Sequence, residues 1–242
     1  MRTRFRWAQC VSVGAFVLAA AVATPAQAGS IIFFGATPTS GVVGYLGGTD
    51  PLFGLGLTVD GIISLGTPLN DGVLATCVGC ELTFVTDNFL LGNATAWSFD
   101  GGGYFSINGG VDLTGNASLG DLGDIAAGST LFSGSFASTP FVSVQAGANP
   151  FVGVGFSYLD GQLNSGLASF FGESSDAQGV LAFHFNGVGE APGAFASFEV
   201  LDVTAVAVSV REPSSLLLLA TSLLGFGLCR RRFADLLSRS AW

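Results

Sequence analysis

The chain has no lysine and only one histidine, and its eight basic residues, all arginines, sit at its two ends. Arg2, Arg4 and Arg6 open it; Arg211, Arg230, Arg231, Arg232 and Arg239 close it. Residues 29–210 therefore carry 15 acidic groups against no basic one, a formal charge of −15. Each absence excludes a chemistry. Such a surface repels phosphate backbones, which excludes nucleic-acid binding, and it disfavours anionic lipid headgroups for the same reason. Without lysine there is neither a Walker A loop nor a Schiff-base nucleophile. With His184 alone and no Gly-x-Ser-x-Gly, a hydrolase triad has no support. Charged residues make up only 10% of the chain, too few for helices laced with ion pairs. Divalent cations and basic partners remain compatible with the acidic middle.

What is abundant is glycine and phenylalanine, 36 and 22 residues. Between residues 29 and 210 they fall in short apolar or alternating runs separated by Gly, Asn, Asp and Pro, beginning at Ser30–Phe34 and ending at Thr204–Val210. No segment there sustains a helical apolar stripe beyond a few turns. The spacing predicts an all-β fold, an antiparallel β-sandwich or barrel-like domain, flanked by an N-terminal signal helix and a short C-terminal hydrophobic helix. "AWSFDGGGYFSING" reads as a hairpin turning at Asp100–Gly103, and "GSTLFSGSF" followed by "TPFVSVQA" as another turning at Ala137–Pro140. Gly115–Gly128 reads as a loop.

The two ends read as addresses. A basic leader, an apolar stretch from about Val11 to Ala23 and the small pair Ala26 and Ala28 make a signal peptide over residues 1–28, cut by signal peptidase after Ala28. At the other end, Leu216–Leu228 is a charge-free run of 13 residues. As a helix it is about 20 Å long at about 1.5 Å per residue, short of a hydrocarbon core of about 30 Å. Arg230, Arg231 and Arg232 predict a cytoplasmic flank, and the N-terminal arginines predict the same for the leader, which leaves the middle outside.

Glu212 and Pro213, the Leu-rich run and the Arg230–Arg232 cluster together resemble the PEP-CTERM sorting signal of bacterial exported proteins. The resemblance covers residues 211–232 and is silent on the domain before them. It implies recognition by an exosortase, a membrane-embedded transpeptidase, and delivery to the cell surface or an exopolysaccharide matrix. Residues 233–242 then form a cytoplasmic tail.

Three features of the middle region bear on chemistry. Cys77 and Cys80 stand three residues apart in an exported domain, where cysteines oxidise. A zinc site lacks further ligands, and a thioredoxin-like pair lacks a following helix, so a structural disulfide closing a tight turn is the favoured reading. His184 alternates with Phe183 and Phe185, which makes it a half-exposed strand histidine sharing a face with Ala182 and Asn186. The carboxylates are scattered singly beside Gly and Asn, and two readings stand open: turn capping, or Ca²⁺ binding, with Asn116, Asp121 and Asp124 the densest cluster. Trp97 reads as core.

No catalytic residue and no resident metal are assigned. The favoured function is a non-enzymatic surface or matrix protein, membrane-held by its C-terminal segment during sorting, with extracellular polysaccharide or matrix proteins as partners. The alternative is a secreted carbohydrate-active or Ca²⁺-dependent enzyme, which requires two carboxylates facing each other across a cleft.

Overall fold

In the computed structural model the described residues are 30–36, 39–116, 118–144, 150–189 and 192–209. The leader (with Ala26 and Ala28) and the tail (with Glu212, Pro213 and Arg230–Arg232) lie outside them, and so do the two flanking helices.

A continuous apolar run takes up alternating burial. Ile32 and Phe34 of strand β1 (Ile31–Ala36) are buried while Ile31 and Phe33 face outward, as the two-residue side-chain period of a strand requires. The remaining strands are β2 (Val42–Tyr45), β3 (Pro51–Leu65), β4 (Leu74–Asn93), β5 (Ala96–Phe99), β6 (Gly102–Asp112), β7 (Ile125–Phe136), β8 (Phe141–Val144), β9 (Phe151–Leu163), β10 (Asp176–Gly189) and β11 (Phe195–Ser209). All pair antiparallel and belong to one sheet.

The pairings close on themselves. At one level the ladder runs β1–β3–β4–β6–β7–β9–β10–β11 and returns to β1. At the other it runs β2–β3–β4–β5–β8–β9–β10–β11 and returns to β2. Each level is a ring of eight strands, so the domain is a barrel in the barrel-or-sandwich alternative. Five long strands, β3, β4, β9, β10 and β11, belong to both levels, and the other six belong to one level only.

This corrects both expected hairpins. β5 and β6 do not pair; both lie along β4, β6 against Thr76–Val85 and β5 against Phe89–Asn93. The turn that exists is two residues long, Ala94–Thr95, with Asn93 Oδ1 accepting from the Thr95 amide and hydroxyl at 2.9 Å. Likewise β7 and β8 both lie along β9. Turn-forming residues are present at Asp100–Gly103 and Ala137–Pro140, but there they carry the chain from one level of the ring to the other.

The interior is filled by aromatic rings. Phe34 of β1 reaches Phe132 of β7 with centroids 5.7 Å apart, and Phe84 of β4 reaches Phe183 of β10 at 5.3 Å. Trp97 packs on Phe195 at 4.7 Å and donates from Nε1 to the Gly193 carbonyl at 2.8 Å. Inward glycines make room for these rings. Gly155 and Gly153 of β9 stand opposite Phe183 and Phe185 of β10, and Gly54 of β3 stands opposite Phe84; a Cβ at any of the three would collide with the ring it faces.

A helix the sequence reading did not anticipate, α1 (Ser165–Phe171), lies just past the end of β9 and buries Leu167, Ala168 and Phe171. Asn164 caps it by accepting from the Gly166 amide at 2.9 Å, and Gly172 ends it at φ 72°. Seven residues are too few for an amphipathic period to show. The β3–β4 loop packs on it, with the Leu69 amide donating to the Phe171 carbonyl at 3.1 Å. Among the described residues no helix is long and apolar enough to cross a membrane.

Candidate functional site

The polar chemistry of the barrel lies on its wall and in its loops. On the outer face His184 and Asp202 stand directly opposite in the β10–β11 ladder, and His184 Nδ1 is 2.8 Å from both carboxylate oxygens of Asp202. Their side chains are 42% and 35% exposed, so water screens the pair. Asn186, two residues along the same face, donates to Glu199 at 2.7 Å. His184 is thus a half-exposed strand histidine with a carboxylate partner. Asp202 is 18 residues away in sequence, and only the register of two long strands brings it there. An oriented imidazole resembles half of a general-base device, but among the described residues the hydrogen bonds of His184 go to Asp202 and to no hydroxyl or thiol.

Cys77 and Cys80 are joined in a disulfide. Its setting differs from the expected turn: the pair lies inside β4, where Gly79 has φ 61° and the register slips against both neighbours, between Val59 and Gly61 on β3 and between Val78 and Glu81 on β4 itself. The bridge spans a β-bulge, the extra-residue irregularity that bends a strand at a barrel corner. Cys80 is buried, and its Cα and sulfur crowd Gly109 of β6 so closely that a side chain there would collide.

The loop between β6 and β7 holds the clustered carboxylates, and their oxygens accept from the loop itself. Asp112, buried at the end of β6, accepts from the Thr114 and Gly115 amides at 3.0 and 2.7 Å. Asp124 accepts from the Leu113 and Asp121 amides at 3.0 and 3.1 Å, and Asp121 accepts from the Asn116 side chain. These are the bonds of turn capping. Among the described residues no three of His, Cys, Asp and Glu converge as a metal site.

Tyr45 lies at the opposite end of the barrel. Burial, and secondarily the Asp50 carboxylate, push the Tyr45 hydroxyl above its ordinary value. The hydroxyl donates to the Gly48 carbonyl at 2.8 Å.

The outer wall is two-sided. Six side chains in successive register, Leu74 (β4), Ile63 (β3), Phe33 (β1), Val206 (β11), Val180 (β10) and Tyr158 (β9), form an outward apolar row. Leu65, Ile31 and Val208 form a second row beside it. A shallow open groove floored by Gly35 and Gly61 runs between Phe33, Ile63, Leu65 and Leu74. Elsewhere on the wall a row of Thr83, Ser106, Ser133, Gln162 and Asp176 crosses β4, β6, β7, β9 and β10 and is entirely polar.

Set against known proteins, the chain matches no family model, no curated protein and no solved structure.

Proposed function

We propose that the chain is an exported, non-enzymatic surface or matrix protein, a barrel delivered by its C-terminal sorting signal to extracellular polysaccharide or matrix proteins. The observation that carries the non-enzymatic part is the packed interior. Rings from β1, β4, β5, β7, β9, β10 and β11 meet at 4.7–5.9 Å inside the barrel, in the volume where a ligand-binding barrel keeps its cavity. Its polar side chains are spent on loops and on the wall. The export part is supported by the signal peptide pattern of residues 1–28 and by the resemblance of residues 211–232 to PEP-CTERM tails. The membrane holds the tail, and an exosortase-like enzyme processes it. With 15 acids and no base on residues 29–210, the barrel associates with basic groups or through bridging cations.

Intact-mass measurement of the protein from its native cells tests the reading. The expected product starts at Gly29 and ends between Glu212 and Ser215. A mature product that still carries Trp242 would overturn processing and leave a plain anchor.

A further inference from the structure

We infer that the outward face of β4, β3, β1 and β11 rests on a zwitterionic lipid surface while the tail holds the chain at the membrane; this rests on the tail reading above. Leu74, Leu65 and Ile63 are 68%, 48% and 37% exposed, and with Phe33, Ile31, Val206 and Val208 they make one contiguous apolar surface. Its extent follows from strand geometry: the outward row continues through Val180 to Tyr158, five inter-strand steps of about 4.8 Å, with a second row about 7 Å beside part of it, a few hundred Å² once the side chains are included. That is too little for a second copy, since a stable interface takes about 800 Å² from each partner. A second copy would also bring another 15 acids and no compensating base.

Where the described chain ends favours lipid. Ile31 and Val208, the first and last outward side chains of β1 and β11, are paired with each other and belong to this face. Six residues, 210–215, connect Ser209 to the apolar run at Leu216. Fully extended, such a linker spans at most about 25 Å. A tether of that length turns a weak apolar contact into an intramolecular one at high effective concentration. Asp60 is the one charged residue lining the glycine-floored groove, whose other walls are apolar or hydroxyl-bearing, and the groove can receive an acyl chain or methyl group. Anionic headgroups would be repelled by the acids around it, so the lipid class is zwitterionic.

The test uses the full chain bound to phosphatidylcholine vesicles, with an environment-sensitive dye on one cysteine at a time and the Cys77–Cys80 bridge kept. Three labelled forms suffice: Leu74→Cys on this face and Ser135→Cys on the polar side of the wall, each with Cys10→Ser and Cys229→Ser, and native Cys229 in a Cys10→Ser chain. The inference expects a blue shift on vesicle addition at positions 229 and 74 and none at 135. A shift at 229 with 74 as unchanged as 135 overturns this inference and leaves the tail reading standing. No shift at 229 overturns the tail reading and this inference with it. Equal shifts at 74 and 135 overturn the assignment of a face. Circular dichroism of each labelled form keeps misfolding from passing as a result.

Discussion

Gly155 shows how the two commonest features of the composition fit together. It faces inward from β9 with the Phe183 ring over it, and that ring is held from behind by Phe84 at 5.3 Å and Phe185 at 6.0 Å. The ring has nowhere to go, so Gly155→Ala should destabilise the barrel by about 1–3 kcal/mol through overpacking, read as a fall in melting temperature of about 2–4 °C for each kcal/mol. Gly35→Ala is the control: its Cβ would point outward and meet only the Val203 carbonyl at 3.5 Å and Thr204 Oγ1 at 3.9 Å. Equal melting of the two variants would sink the argument. Composition alone announces that glycine and phenylalanine are plentiful, but which glycine sits under which ring is set by register. Tyr45 makes a second prediction. Its folded pKa lies above its unfolded one, so above about pH 10 the unfolded chain ionises first. The stability it contributes is present below that pH and is lost as pH rises toward the folded value. Phenolate absorbance from Tyr45 should therefore appear at higher pH in the folded barrel than in the unfolded chain, and Tyr45→Phe should flatten the alkaline fall in stability. Phenolate formation at the same pH in both states would refute the burial argument.

At the scale of elements, strand existence was legible and strand pairing was not. Short apolar runs bounded by turn residues mark Ile31–Phe34 and Val180–Phe185 as strands. The expected hairpins failed because the turn rule assumes that strands adjacent in sequence pair with each other. In this barrel β4 and β9 are long enough to hold two short strands end to end, and nothing local in Asp100–Gly103 reports that β4 is already alongside. α1 was missed because seven residues carry too little helical pattern. The Cys77–Cys80 pair was legible as chemistry, but its bulge is a property of three strands together. Closing so small a loop should contribute about 2 kcal/mol in the chain-entropy account. Cys77→Ser should lower the urea midpoint by a corresponding amount, with the slope of the transition little changed. A midpoint equal to the parent's would mean that β4 holds its bulge without the bridge.

For the molecule as a whole, ring closure removes the exposed strand edges along which all-β proteins aggregate, and it does so in a chain whose acids already repel one another. Closure was beyond the sequence because the bonds that complete it join β1 to β11, residues 31–36 to 203–208. The candidate site divides in the same way: charge and the cysteine pair were visible in the text, whereas the His184–Asp202 pair and the apolar side of the wall exist only once the strands are in register. The β1–β11 seam has one more consequence. A ring whose first and last strands are neighbours has a circumference but no intrinsic beginning, and the chain ends are merely a cut in it. Joining Ser209 to Ser30 through a short linker and reopening the chain between Asn116 and Ser118 should give a permuted molecule with the same strand spectrum and one cooperative melt, since termini this close tolerate relocation to an exposed loop. Failure to fold would mean that β1 and β11 must enter last, and that the cut marks an order of assembly.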